Sequence, residues 1–103
     1  MKFSEIKKII DNNSVVFADN GLIEATYDLG DSEDAERFAN KASDISDKYS
    51  GLDIQLDILC DEAFEDEDGE ETPEWNIANF AIDFENKEDL IRIKKFLDEI
   101  DYI

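Results

Sequence analysis

Hydrophobic and polar residues alternate along three segments of the chain, and a fourth segment is a short apolar run; together they predict four β-strands. The apolar run is SVVFA from Ser14, and the alternating segments are LIEATYDL from Leu22, LDIQLDIL from Leu52 and NIANFAIDF from Asn76. Successive side chains of a strand point to opposite faces, so each alternating segment has one apolar and one polar face. Asp19-Asn20-Gly21 separates the first two segments and is typical of a tight hairpin turn. We therefore expect an antiparallel-rich sheet with one buried face.

Three other segments have apolar residues at the three-to-four-residue spacing of amphipathic helices. One begins at Phe3, one follows Gly30, and one follows Asn86. Short polar side chains accept hydrogen bonds from the free N–H groups at the start of a helix. We therefore expect Asp31 or Ser32 to cap the second helix and Asn86 to cap the third.

The predicted order of elements is α-β-β-α-β-β-α, which indicates an α+β fold with a sheet of about four strands and helices on one face. From Leu22 onward this order resembles that of a ferredoxin-like sandwich, in which Asp101-Tyr102-Ile103 would form a short last strand. No repeat or interdomain linker interrupts the chain. Residues 1–103 are therefore expected to form a single domain, with an acidic connection at 61–74.

The composition adds a large charge imbalance to this picture. Acidic residues outnumber basic ones by 29 to 10, histidine is absent, and the net charge is −19. Such a chain repels nucleic acids and anionic membranes and attracts basic proteins, so we expect neither direct nucleic-acid binding nor membrane binding. A polar N-terminus, the lack of a long apolar run and a single cysteine, Cys60, favour a cytoplasmic protein.

The acidic residues are also segregated along the chain. Seven of the ten bases belong to the first and last predicted helices, and no base occurs between Tyr49 and Asn86. Alternate residues of a strand lie about 6.7 Å apart, a spacing comparable to that of successive phosphates. Acids in that span therefore form a candidate surface for a basic partner. The expected partner-binding residues are Asp53, Asp57, Asp61, Glu62, Glu65, Asp66, Glu67, Asp68, Glu70, Glu71, Asp83 and Glu85.

The segment from Cys60 to Trp75, CDEAFEDEDGEETPEW, invites comparison with a calcium loop. An EF-hand loop needs ligands at fixed positions around a glycine and a glutamate at the end. With Gly69 in the glycine position, Phe64 and Trp75 fall where the first and last ligands belong. We therefore expect no specific metal site and no cofactor. Because connections this long are usually functional or disordered, we expect an extended, mobile interaction arm, with Phe64 exposed at its edge or docked on the core.

Catalytic motifs are not evident, and we do not expect an enzyme. The chain has no histidine, no phosphate-binding glycine loop and no metal-ligand spacing. A nucleophilic cysteine would need a neighbouring base to activate it, so Cys60 is expected to be an ordinary core or edge residue.

In composition and charge layout the chain resembles the small acidic DNA-mimic inhibitors of phages and mobile elements, including anti-CRISPR proteins. The resemblance implies that the twelve acids above replace a phosphate backbone in the host-cell cytoplasm. It also implies that the partner is a CRISPR effector nuclease, whose basic channel holds duplex nucleic acid. Two alternatives stay open. An immunity protein that neutralises a nuclease toxin would use the same electrostatics, and so would an acidic adaptor or chaperone of a basic protein.

Overall fold

The structure is a computed structural model that describes residues 2–103. It contains three helices, four long strands and two very short strands. Their order is α1 (Phe3–Ile9), β1 (Val15–Asp19), β2 (Leu22–Gly30), α2 (Ser32–Ser46), β3 (Asp53–Asp61), β4 (Phe64–Glu65), β5 (Glu71–Thr72), β6 (Trp75–Asp83) and α3 (Lys87–Asp101). The predicted α+β class and the order α-β-β-α-β-β-α are confirmed, with β4 and β5 added inside the acidic segment. The predicted burial of the Phe3 side chain lies outside the described part.

The four long strands form one antiparallel sheet in the order β1-β2-β6-β3. Both β2 and β3 run antiparallel to β6, which lies between them, so they are parallel to each other. The connection through α2 is therefore a split β-α-β unit, as in the ferredoxin-like order. The predicted last strand at Asp101-Tyr102-Ile103 is wrong. Buried Ile100 extends the apolar stripe of α3 to the end of the chain, and β1 takes the sheet position beside β2 instead.

The predicted alternation is confirmed for β2 and β6 by their burial, whereas on β3 it ends at Leu56, since Ile58 is 37% exposed. Ile23 and Ala25 of β2 and Phe80 of β6 point into the core, where α1, α2 and α3 cover one face of the sheet. The ring of Phe80 contacts Phe96 of α3 and Phe38 of α2, with ring centroids 5.4 Å and 5.9 Å apart. Edge-to-face and tilted ring pairs of this kind fix the sheet and the helices relative to each other.

The helix starts are capped as the sequence predicts. The Asp31 side chain accepts a hydrogen bond from the backbone N–H of Asp34 at 2.9 Å, and Asn86 accepts one from Asp89 at 3.0 Å. Beyond the end of α2, the Tyr49 hydroxyl donates to the Glu99 carboxylate of α3. No helix among residues 2–103 has the length and apolar character that a bilayer crossing requires.

Candidate functional site

The face of the sheet opposite the helices is uncovered. The register of the strands places alternate residues of all four strands of the sheet on it, because residues that pair across an antiparallel ladder point to the same side. We call this surface the open face, and its residues are Phe17, Asp19, Leu22, Glu24, Thr26, Asp28, Asp53, Gln55, Asp57, Leu59, Asp61, Trp75, Ile77, Asn79, Ala81 and Asp83.

The open face contains acids and no bases. None of the six strands described here has a lysine or arginine, and all ten bases lie in the helices or within two residues of a helix end. Since the helices cover only one side of the sheet, the protein has one face of mixed charge and one face of negative charge. A surface of ordinary solubility charge would mix both signs.

The sequence-predicted site residues lie on the open face and on the segment that extends it. Asp53, Asp57, Asp61 and Asp83 belong to the open face, and Glu85 lies two residues after the end of β6. The other seven, Glu62, Glu65, Asp66, Glu67, Asp68, Glu70 and Glu71, belong to residues 62–74, which we call the acidic ribbon. All twelve are exposed.

The acids along β3 are more widely spaced than the expected distance of about 6.7 Å between alternate residues of a strand. Asp53, Asp57 and Asp61 share a face, but Gln55 and Leu59 take the positions between them. At the rise of an antiparallel strand, residues four apart are separated by about 13 Å. The 6.7 Å spacing therefore applies to neighbouring outward positions and not to the acids themselves.

Two carboxylates lie directly opposite each other at one end of the open face. Asp53 of β3 pairs with Asp83 of β6. A hydrogen bond that protonated Asp83 donates to the Asp53 carboxylate, partial desolvation and the negative charge of Asp53 raise the pKa of Asp83. Like charges at opposed positions of a sheet are destabilising, so this pair does not stabilise the free protein, and its position favours a role in binding.

The acidic ribbon is a hairpin, which corrects the expectation of an extended connection. Phe64–Glu65 pairs with Glu71–Thr72, and the two short strands continue outward from β3 and β6. The Asp66 side chain accepts backbone hydrogen bonds from Asp68 at 3.0 Å and Glu70 at 2.9 Å. A side chain that satisfies two backbone donors stabilises the turn locally, whereas repulsion between the exposed carboxylates is weakened by solvent and salt.

Polar contacts attach the base of the acidic ribbon to the rest of the protein. The Glu74 carboxylate accepts hydrogen bonds from Ser32 at the start of α2, from Asn76 at 3.3 Å and from Cys60 at 3.5 Å. These donors, Ser32 foremost, lower the pKa of Glu74. Asn76 is buried and also donates to the carbonyl of Gly30 at 3.0 Å. The contacts hold the point where the ribbon leaves the sheet.

Cys60 lies on the edge strand β3 and is exposed. Partial desolvation and the neighbouring Glu74 carboxylate raise the pKa of its thiol. A nucleophilic cysteine requires the opposite, a pKa lowered by a base or a positive charge. The surroundings of Cys60 therefore disfavour the reactive thiolate.

An apolar patch at the ribbon end of the open face was not predicted. Leu59 is 63% exposed, Trp75 is 44% exposed, and Ile77 lies opposite Leu59. The sequence does contain a signal, because Leu59 continues the outward positions of Asp53 to Asp57 and so is apolar on a polar face. Phe64 on the ribbon is 59% exposed, so the alternative that it docks on the core is wrong.

Comparison with known proteins assigns no relatives. No protein-family model matches this chain, and neither a curated protein nor a solved structure matches it. The open face and the acidic ribbon are therefore the features from which the function of this protein is inferred.

Proposed function

We propose that this protein is an acidic inhibitor that binds the nucleic-acid site of a basic partner protein. The acids of the open face and the acidic ribbon replace the phosphates that the partner normally holds. One observation supports this most strongly: every lysine and arginine lies in or beside a helix, while the only charged residues on the uncovered side of the sheet are acids. Such a one-sided field attracts a basic surface and orients the protein on it.

The apolar patch supports a protein as the partner. Protein interfaces are enriched in tryptophan at positions that become fully desolvated on binding, with polar residues around them. Trp75 and Leu59 have this arrangement, with Asp57 and Asp61 beside them on β3. A hydrated metal ion would gain nothing from exposed apolar side chains, so the patch favours a basic protein over a metal ion.

The partner we favour is a CRISPR effector nuclease, as the resemblance to DNA-mimic inhibitors implies. Its channel holds a heteroduplex through positively charged contacts to the backbone, and paired arginines read the short flanking motif. Both features are complementary to an elongated acidic surface. The described part of the chain measures 51 × 28 × 19 Å, long enough for the open face and the ribbon to contact an extended channel.

The test is a DNA-binding assay with guide-loaded Cas9-type effectors, in which the protein is added before labelled target duplex. We expect loss of DNA binding near a one-to-one ratio, and no loss when the duplex is bound first. The open-face triple variant Asp53→Asn, Asp57→Asn, Asp83→Asn should no longer inhibit. The matched control Glu33→Gln, Glu36→Gln, Asp44→Asn on α2 changes the net charge equally and should inhibit as the wild type does.

The proposal is overturned if the α2 triple abolishes inhibition while the open-face triple retains it, since the wrong face would then have been chosen. A second arm replaces the effector by a guide-independent nuclease toxin. If the protein blocks the toxin and leaves the effectors active, an immunity protein is the better assignment. Inhibition of neither class would contradict nuclease-site mimicry.

A further inference from the structure

One edge of the sheet is long, regular and free. The strand order ends at β3, whose nine residues Asp53–Asp61 pair with β6 in an unbroken register. No backbone hydrogen bond among residues 2–103 reaches the other side of β3. The opposite edge differs, because β1 has five residues and its register shifts between Val15 and Phe17. A long edge without a bulge or a proline presents backbone groups that can pair with an added strand.

A groove runs beside this free edge on the helical side of the sheet. Its volume is about 150 Å³, and it separates α2 from β3. Ala39, Ser43 and Ser46 form its helical wall, while Ile54, Leu56 and Phe80 form the sheet side. Because the helical residues are small, the apolar side chains of β3 are only partly covered. An apolar cavity of comparable size accommodates benzene, so the groove has room for an apolar side chain.

The two faces of β3 set the side chains that an added strand would need. Residues of neighbouring strands lie side by side on the same face. On the helical side the added strand would meet Ile54, Leu56 and the groove, which favours apolar residues. On the open face it would pass along Asp53 and Asp57, which favours lysine or arginine. The complementary sequence therefore alternates apolar and basic residues.

We propose that the free edge of β3 binds an extended segment of a partner protein with alternating apolar and basic residues, by strand addition. This site goes beyond the proposed mimicry, because it requires main-chain pairing and an apolar groove and needs no nucleic-acid site on the partner. A second copy of this chain is the wrong occupant. Pairing two β3 edges would bring the rows of Asp53, Asp57 and Asp61 together, and opposed like charges are destabilising.

The test uses synthetic peptides and the intact protein. The main probe alternates lysine and valine over seven residues, and a control peptide has the same composition with the lysines and valines in two blocks. We expect the alternating peptide to bind at least about tenfold more tightly, because only its pattern satisfies both faces and the edge. Two further peptides are N-methylated on alternate residues, one on the odd-numbered and the other on the even-numbered positions. Only the peptide whose methylated N–H groups would face β3 should lose binding.

A matched pair of protein variants tests the groove. Ser43→Phe fills the groove from an exposed helical position and should weaken binding of the alternating peptide at least about tenfold. Asn40→Phe, exposed on the same helix outside the groove, should bind as the wild type does. Circular dichroism of both variants verifies folding, and the N-methylated peptides test the same site on unchanged protein.

Equal affinity for the alternating and block peptides would mean that the net charge of the peptide alone determines binding, and this result would overturn the proposal. Binding unaffected by Ser43→Phe and by both N-methyl phases would do the same. A wild-type dimer that Ser43→Phe converts to a monomer would show that β3 pairs with a second copy instead. None of these outcomes depends on nuclease inhibition. Failure of the strand-addition proposal therefore leaves the mimicry proposal unaffected, and failure of the mimicry proposal leaves strand addition unaffected.

Discussion

Individual residues of the open face differ in what they contribute to stability, and Asp83 gives the sharpest case. Its pKa is raised, chiefly by the opposed Asp53 carboxyl. A group with a raised pKa in the folded state destabilises the fold above that pKa and is relieved as protons bind. We therefore predict that Asp83→Asn raises the melting temperature at neutral pH. The gain should shrink as the pH falls and Asp83 of the wild type becomes protonated, because protonation removes the opposed negative charge.

The control for this prediction is Asp57→Asn on β3. Asp57 has the same charge and exposure but lies opposite Asn79, so its replacement removes no opposed carboxylate. Thermal unfolding at several pH values compares the two variants. Equal gains from both would mean that the general negative field, and not the Asp53–Asp83 pair, determines the effect.

Asn76 is the buried polar residue at the base of the acidic ribbon. Its amide donates to the Gly30 carbonyl and to Glu74. Asn76→Ala removes the donor and leaves the partly buried Gly30 carbonyl without this hydrogen bond, at an expected cost of about 1–3 kcal/mol in the free energy of unfolding. Denaturant unfolding measures this cost. Gln55→Ala, at an exposed position of β3, should change the free energy of unfolding by less than about 0.5 kcal/mol, and a comparable loss in both variants would contradict the role of Asn76.

Among the elements, the acidic ribbon should be separable from the fold. The hydrogen bonds of its tip are internal to the ribbon, and its residues from Ala63 to Pro73 are exposed. We predict that replacing residues 63–73 by Asn-Gly joins Glu62 to Glu74 through a two-residue turn and leaves the melting temperature nearly unchanged. Differential scanning calorimetry tests this, and a large cooperative loss of stability would show that the ribbon packs on the body.

The elements that the sequence predicted are those in which apolar spacing is tied to burial. The strands β2 and β6 and the helices α2 and α3 each bury one face, so their period is visible in the sequence. The ribbon strands β4 and β5 bury nothing, and their pairing depends on the Asp66 turn, which no apolar period records. The position of β1 at the sheet edge was likewise invisible, because element order does not fix the order of strands in a sheet.

The candidate site was predictable to a similar extent. Charge segregation identified the acids of β3 and the ribbon, and alternation assigned Asp53 and Asp57 to the solvent side of the sheet. The opposition of Asp53 to Asp83 and the apolar patch at Leu59 and Trp75 depend on the register of β3 against β6. Register follows from pairing between distant segments, which the pattern of one strand does not contain.

At the scale of the whole molecule, the net charge of −19 and its one-sided distribution predict that the isolated protein does not bind nucleic acid. The open face repels phosphate, and the bases on the helical side lie among acids of the same helices. A gel-shift assay with duplex DNA and with RNA at physiological salt tests this. Retention of either one would mean that the helical side is a nucleic-acid surface and that the two faces have different functions from those proposed.

The acidic ribbon and the open face are expected to affect different rates of binding to the partner, the ribbon the association rate and the open face the dissociation rate. Exposed charges at the rim of an interface mainly change the association rate, whereas desolvated charges at its centre mainly change the dissociation rate. The ribbon projects into solvent, while the strands hold the open-face acids on the sheet. The ribbon variant with Glu65→Gln, Asp66→Asn, Glu67→Gln and Asp68→Asn should therefore slow association with the inhibited nuclease. Its effect should fade at high salt, because the Debye length falls from about 8 Å at physiological salt to about 3 Å at 1 M.

The open-face triple Asp53→Asn, Asp57→Asn, Asp83→Asn should instead speed dissociation, with a loss of about 2–5 kcal/mol for each acid that is desolvated and paired in the complex. Surface plasmon resonance with the immobilised nuclease, at two salt concentrations, separates the two rates. Asp66 also orders the ribbon turn, so a second ribbon variant that keeps Asp66 distinguishes lost charge from lost structure. If both sets of acids changed only the association rate, the open face would act from a distance, and the contact surface would lie elsewhere on the protein.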